Sequence, residues 1–312
     1  MKIINLEQIY SVLPAIDLIP TIEAGFVAYS DEKAVVPPVG ELLLDKGEVH
    51  IKYGFLQGDE FYVIKVASGF YDNPKIGLPS SNGLMLLFSQ LTGELAGILL
   101  DEGYLTNVRT AVAGAIAAKY LTPKSVERIG IVGTGIQGQL QLEYLRSVTS
   151  CRNVLAWDLD KQLLTGYQNE MMKHNFQVET TLNAADILRS CNLIVTATPS
   201  TEPLLHVDDL QPGTHITAVG SDTPHKQELD SEILARADIV VADSISQCLA
   251  RGEIHQAIKR GKLMREKVVE LGNVISGKTT GRVGEDQISV ADLTGVAVQD
   301  IQIASAVYRA LL

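Results

Sequence analysis

"RIGIVGTGIQGQLQLEYL", Arg128–Leu145, decides the fold. An apolar run, Ile129–Val132, leads into Gly133, Gly135 and Gly138 at G-x-G-x-x-G spacing, and a helical stretch follows. Strand, glycine turn and helix in that order give the spacing a mechanism. The first glycine permits a tight turn and the second lets backbone approach a pyrophosphate. The third lets helix and sheet pack closely, while the helix N-terminus attracts phosphate. The candidate cradle is therefore Gly133, Thr134, Gly135, Ile136, Gln137 and Gly138. The next apolar run, "NVLAWD", ends on Asp158, twenty residues past Gly138. A carboxylate there accepts the ribose hydroxyls of NAD and repels the 2′-phosphate of NADP. NAD(H) is thus preferred, with Lys161 in "DLDK" leaving NADP(H) open.

Outward from this motif the chain changes character on each side. Downstream, "NLIVTAT", "HITAVG" and "DIVVAD" are apolar runs followed by helix or loop, the alternation of βαβ units and a doubly wound parallel sheet. "DQISVADLTG" reads as strand and turn, and a last helix carries Ile301, Ala304, Tyr308 and Leu311 on one side. Upstream, residues 1–30 read as helical, with Ile22, Phe26 and Tyr29 on one face. Residues 41–70 break into short apolar pieces at "DKGE" and "LQGDE", which predicts antiparallel strands, and a hairpin turn falls near "LTGE". The Ala-rich stretch after it opens on Thr106 as N-cap and stops before Pro123.

Composition narrows the function classes. The apolar share is 46%, charged residues make up 20%, and the net charge is -11. That is a well-cored globular chain, and its acidic balance argues against a nucleic-acid surface. Three cysteines without CxxC spacing suggest reduced thiols. No apolar segment approaches the ~20 residues of a membrane span, and Glu7 interrupts any signal-like run. The expectation is a cytoplasmic, soluble protein with no membrane partner. No HxxxH or HxH spacing points to a metal.

Three residues stand out against this background. Lys65 interrupts "YVIKVASGF" (Tyr62–Phe70), where an ammonium among apolar neighbours is costly unless an anion meets it. Read alone, it is better explained as a residue on the wet face of an edge strand. Arg109 falls in the first turn of the Ala-rich helix, where the macrodipole disfavours a cation. It either holds an anion or pairs with Asp101 or Glu102. Polar groups end three strands of the parallel sheet, at Thr196–Ser200, Asp222, and Asp243 with Ser244. Ligands of open α/β sheets sit there. Asp222 reads either as a cleft residue or as a helix N-cap before Thr223, with Asp243 its rival.

Taken together, "YVIKVASGFYDNP", "LTGELAGILLDEGYLTNVRTAVAGAIAAKYL", "GIVGTGIQGQLQ", "AVGSDTPHKQELD", "GEIHQAI" and "DLTGVAVQDI" resemble the ornithine cyclodeaminase/mu-crystallin family over nearly the whole chain. The resemblance implies a substrate-binding and dimerisation domain of α+β type, residues 1–118 with 294–312. It implies a nucleotide-binding Rossmann domain over 119–293 and a homodimer. Lys65 and Arg109 would hold the carboxylate of a small amino or imino acid, and Asp222 would be the acid–base group, with Lys65 also at the catalytic centre. Thr196, Thr198, Ser81 and Asn82 would be cofactor contacts. The family's further Arg after a Pro-Pro pair is missing, since Val39 and Gly40 stand there. Lys52 either takes over that charge or marks a different substrate.

The reaction the resemblance favours is reduction of a cyclic ketimine, Δ1-pyrroline-2-carboxylate to L-proline. Ornithine cyclodeaminase is the main alternative, with Glu48 the candidate for a distal ammonium. Alanine dehydrogenase-like imino-acid reduction and non-catalytic binding of nucleotide and small acids are the others.

Overall fold

The computed structural model describes residues 1–312, and the chain divides into two compact units. One comprises Met1–Arg109 with Val296–Leu312, the other Thr110–Gly295. The first division falls inside a helix, a little before the expected boundary at 118.

The first unit runs β1 (Lys2–Ile4), α1 (Leu6–Val12), α2 (Leu18–Ser30), β2 (Ala34–Val35), β3 (Gly40–Leu44), β4 (Gly47–Leu56), β5 (Phe61–Gly69), β6 (Ser81–Ser89) and β7 (Leu95–Leu99). Its sheet has the order β1-β7-β6-β5-β4-β2, with β3 also on β4. The antiparallel strands of 41–99 are present, and the hairpin between β6 and β7 turns at Gly93 with φ +72°.

The extreme N-terminus corrects the helical reading. Lys2–Ile4 pairs in parallel with Gly97–Leu99, because the helix start is fixed later by a capping box at Asn5 and Gln8. The Ala-rich helix α3 (Tyr104–Leu121) corrects another expectation. It starts two residues before Thr106, with Asp101 accepting from Leu105 N at 2.9 Å. Arg109 therefore lies in the second turn, where the dipole term is weak.

The second unit continues with β8 (Ile129–Val132), α4 (Ile136–Tyr144), β9 (Asn153–Trp157), α5 (Lys161–Lys173), β10 (Gln177–Thr181), α6 (Ala185–Ser190), β11 (Leu193–Thr196) and β12 (His215–Ala218). Then come α7 (Ser231–Arg236), β13 (Ile239–Ala242), α8 (Ile245–Cys248), α9 (Gly252–Lys259), β14 (Val268–Glu270), α10 (Leu271–Ile275) and β15 (Ser289–Asp292). The chain re-enters the first unit as α11 (Ala297–Ala310). All eight strands pair in parallel, in the order β10-β9-β8-β11-β12-β15-β13-β14. This is the doubly wound α/β sheet expected, and its order reverses between β8 and β11, the switch point where such sheets bind ligands. β8, β11, β12 and β13 are buried throughout, as apolar runs covered on both faces must be. β10 escaped the sequence reading because "QVETT" is an edge strand with only Val178 buried. No single helix is long and apolar enough to cross a membrane.

Candidate active site

In the first unit β5 is a central strand, flanked by β4 and β6. Lys65 is therefore no wet-edge residue; it is 1% exposed. Register places Lys52 of β4 directly opposite it. Two buried lysines facing each other across a ladder repel, an arrangement that destabilises a sheet unless anions meet it. Arg109, 5% exposed, adds a third buried cation from α3. The same sheet face continues through Ala67 and Gly83, which fill little space beside the cations.

Asp300 of α11 answers this charge. Its Oδ1 lies 3.1 Å from Lys65 Nζ and 3.0 Å from Arg109 Nε. These are ion pairs by distance, but their angles are poor, so neither Asp300 oxygen nor Arg109 Nε has a hydrogen bond. Arg109 Nη1 donates to Gln299 Oε1 at 2.8 Å, while Gln299 Nε2 and Asp101 Oδ1 are also buried without partners. Buried polar atoms without a hydrogen bond are uncommon, and five of them gather around these cations. Burial, then Arg109, pushes the Lys65 ammonium down to about 7, with Asp300 opposing and Lys52 assisting. Burial alone would raise the Asp300 carboxyl, yet Arg109, Lys65 and Lys52 hold it below its usual range. Asp101 and Glu102 are not the partners of Arg109; Asp101 caps α3 instead, and burial raises its carboxyl.

In the second unit the three motif glycines separate by cause. Gly133 has φ +97°, and a Cβ there would lie 2.7 Å from the Ala197 carbonyl. A Cβ on Gly138 would lie 2.1 Å from the Gly133 carbonyl. Gly135 has an ordinary φ of -72°, and a Cβ there would meet nothing within 4 Å. The fold demands the outer two glycines and makes no demand at the middle one, which fits close approach by a phosphate. α4 begins at Ile136 and Gln137 with no side-chain cap, so its first amides suit an anion. Asp158 Oδ2 accepts from both N and Oγ1 of Thr134 at 2.8 Å, which holds the carboxylate against the turn.

The other strand ends are sorted by their partners. Thr196 Oγ1 donates to Glu228 Oε2 at 2.8 Å, and Thr198 donates through N and Oγ1 to Glu228 Oε1 at 2.6 and 2.8 Å. Both hydroxyl protons thus point at a buried carboxylate, which leaves only their lone pairs for a cofactor. Asp222 is followed by no helix until Ser231, which excludes the N-cap reading. Its Oδ1 instead meets Lys226 Nζ at 2.7 Å, and its carbonyl accepts from Arg251 Nη1 at 3.1 Å. Asp243 is spoken for: its carboxylate accepts from Thr294 Oγ1 at 3.2 Å and Gly295 N at 2.6 Å. Ser81 and Asn82 open β6 in the first unit, where Asn82 Oδ1 accepts from Gly83 N at 2.7 Å.

The family model for the ornithine cyclodeaminase/mu-crystallin family matches residues 3–312. The chain belongs to this family. A relative from Sinorhizobium fredii, described as an uncharacterized cyclodeaminase, is 40% identical over 99% of this chain and 95% of its own. Two solved structures superpose over 99% of the chain. An archaeal alanine dehydrogenase dimer with bound NAD has a TM-score of 0.90 at 33% identity, with 95% of that chain covered. The Δ1-pyrroline-2-carboxylate reductase of Thermococcus litoralis, in complex with NADH and L-proline, has a TM-score of 0.94 at 26% identity, with 97% covered.

Sequence reasoning missed Asp300, Gln299, Lys226 and Glu228 as functional candidates. Each lies in a quoted motif, and Lys226 carried a signal, four residues past Asp222 in "SDTPHK". Asp300 carried none, since an Asp in the first turn of a helix is ordinary.

Proposed function

We propose that the protein is an NAD(H)-dependent reductase of a small imino acid, with Δ1-pyrroline-2-carboxylate to L-proline the reaction that fits best. The observation that carries this is the buried cluster of Lys52, Lys65 and Arg109, three cations with Asp300 set between two of them. Lys65 and Arg109 share the single carboxylate of Asp300, and that pair suits one further carboxylate. Lys65 and Arg109 bind it, and Lys52 supplies the charge of the missing Arg. Cradle residues Gly133–Gly138 take the pyrophosphate, Asp158 the ribose, and Thr196 and Thr198 further parts of the cofactor; for Ser81 and Asn82 a cofactor role rests on the family resemblance alone. NADH, when bound, supplies a hydride to the imine carbon. The ring nitrogen takes its proton from solvent, and Asp222, a carboxylate oriented by Lys226, stabilises the iminium so formed. One hydride and one proton are added across C=N, and NADH would become NAD+ as its C–H bond gave up the hydride.

Charge argues against the cyclodeaminase alternative. L-Ornithine would bring a second ammonium to a face holding Lys52 and Lys65. Of the carboxylates on that face, Glu48 already accepts from Tyr71 at 2.8 Å, and Glu41 lies 3.1 Å from His50.

The first unit is the proposed substrate-binding and dimerisation domain and the second the proposed nucleotide domain. The opposite sheet face of the first unit presents Ile51, Tyr53, Ile64, Val66, Leu84 and Leu86, none of them fully buried. A patch of that kind suits a second copy in the reduced cytoplasm.

Purified protein mixed with NADH and Δ1-pyrroline-2-carboxylate should oxidise NADH and form L-proline. L-Proline and ammonia from L-ornithine without added reductant would sink this reading. NADH loss only with pyruvate and ammonia would transfer the assignment to alanine formation.

A further inference from the structure

Asp300 has no role in the reaction above, yet its surroundings are specific. It sits in the first turn of α11, where the helix dipole favours an anion, and is 1% exposed. A carboxylate so far from water needs compensation, which Lys65 and Arg109 give it. The compensation is loosely made. An Arg–carboxylate pair built for stability takes two parallel hydrogen bonds, whereas Asp300 receives none of good angle. The one well-formed bond to the guanidinium runs from Nη1 to Gln299. The cations are therefore held in place while donors remain for a second anion.

We propose that Asp300 is a positioning residue for the carboxylate-binding pair: a resident counter-ion that keeps Lys65 charged and, with Gln299, keeps Arg109 beside it before substrate arrives. The groups facing Lys65 are Lys52 from β4, uncharged Met85 from β6, Asp101 and Arg109 from α3 and its entry, and Asp300 from α11. Burial, Arg109 and Lys52 all favour the neutral amine, and Asp300 opposes them most directly. Without the Asp300 charge, Lys65 loses its proton at a lower pH and the clamp loses one cation. The kinetic part of this inference rests on the proposed function; the charge on Lys65 does not.

The test is carbon-13 NMR of protein labelled at the lysine ε-carbon, titrated without substrate. The Lys65 signal is assigned by its absence in Lys65→Met. Its midpoint should lie near neutrality in the wild type and fall by more than about one pH unit in Asp300→Asn. Asp300→Glu, which keeps the charge, should restore most of the shift. An unchanged or raised midpoint in Asp300→Asn overturns the proposal. If that variant does not fold, the comparison is made in a Lys52→Met background, which relieves the buried charge. There too the midpoint must fall when Asp300→Asn is added, and a midpoint that stays put is equally fatal. Failure of every imino acid to turn over would remove the proposed function and leave this measurement intact.

Discussion

Lys65 is stabilised by ion pairing and destabilised by burial and like charge, so its removal separates structure from function. Lys65→Met keeps the length and deletes the charge. It should leave Tm unchanged or raised while kcat/KM for the imino acid falls about 10- to 100-fold, the worth of a charge-assisted contact of roughly 1.5–3 kcal/mol. NADH affinity should not move. A lower Tm with unchanged KM would make Lys65 a structural cation. The pH dependence has a definite sign. The folded-state pKa of Lys65 is about 7 against 10.5 for the free side chain. Between those values the unfolded chain binds more protons, so wild-type stability should rise with pH relative to Lys65→Met. Urea unfolding at several pH values across that window measures it, and a falling difference contradicts the burial. Lys65 was visible in the sequence as a charge in an apolar run, and Arg109 as a cation near a helix start. Their anion was not visible, because Asp300 lies 191 residues beyond Arg109 and 235 beyond Lys65.

At the scale of elements, the turn from β8 to α4 assigns different duties to its glycines. Gly135→Ala should fold with stability within about 0.5 kcal/mol of wild type, since its φ is ordinary and its space open. It should bind NADH more weakly. Gly138→Ala must displace the Gly133 carbonyl and should lose about 1–3 kcal/mol. Paired melting curves and NADH titrations check both; equal stability losses would mean that the middle glycine serves the fold. The ends of β11 and β12 are tied by Glu228, which accepts from Thr196, Thr198 and Gly220 N. Burial raises its carboxyl to about 7, with those donors opposing. The folded chain then holds the proton across pH 4.5–7 where the unfolded chain has lost it, so this residue makes stability fall as pH rises through that window. Glu228→Gln should flatten that part of the profile, as followed by thermal melts from pH 4.5 to 7.5. Runs such as "NLIVT" announced their strands because both faces are buried. β1 and β10 did not, because three residues or an edge position leave too little apolar pattern to read.

For the whole molecule, the two units were legible as a change from antiparallel pieces to βαβ alternation. The return of the last helix to the first unit was not read from the pattern, since helical periodicity is silent about which sheet it covers; the family resemblance supplied it. The proposed dimer belongs to this scale. Sedimentation should give about twice the 33.8 kDa chain mass, and Ile64→Lys should shift it toward one chain without unfolding it. A wild-type monomer would remove the second copy. The most direct test of the central claim is NADH oxidation with Δ1-pyrroline-2-carboxylate, run on wild type and on Lys65→Met with nucleotide binding measured alongside. Turnover by the wild type, lost in the variant while NADH still binds, is the expected result. Undiminished turnover in Lys65→Met would contradict the buried cations as the seat of the substrate carboxylate.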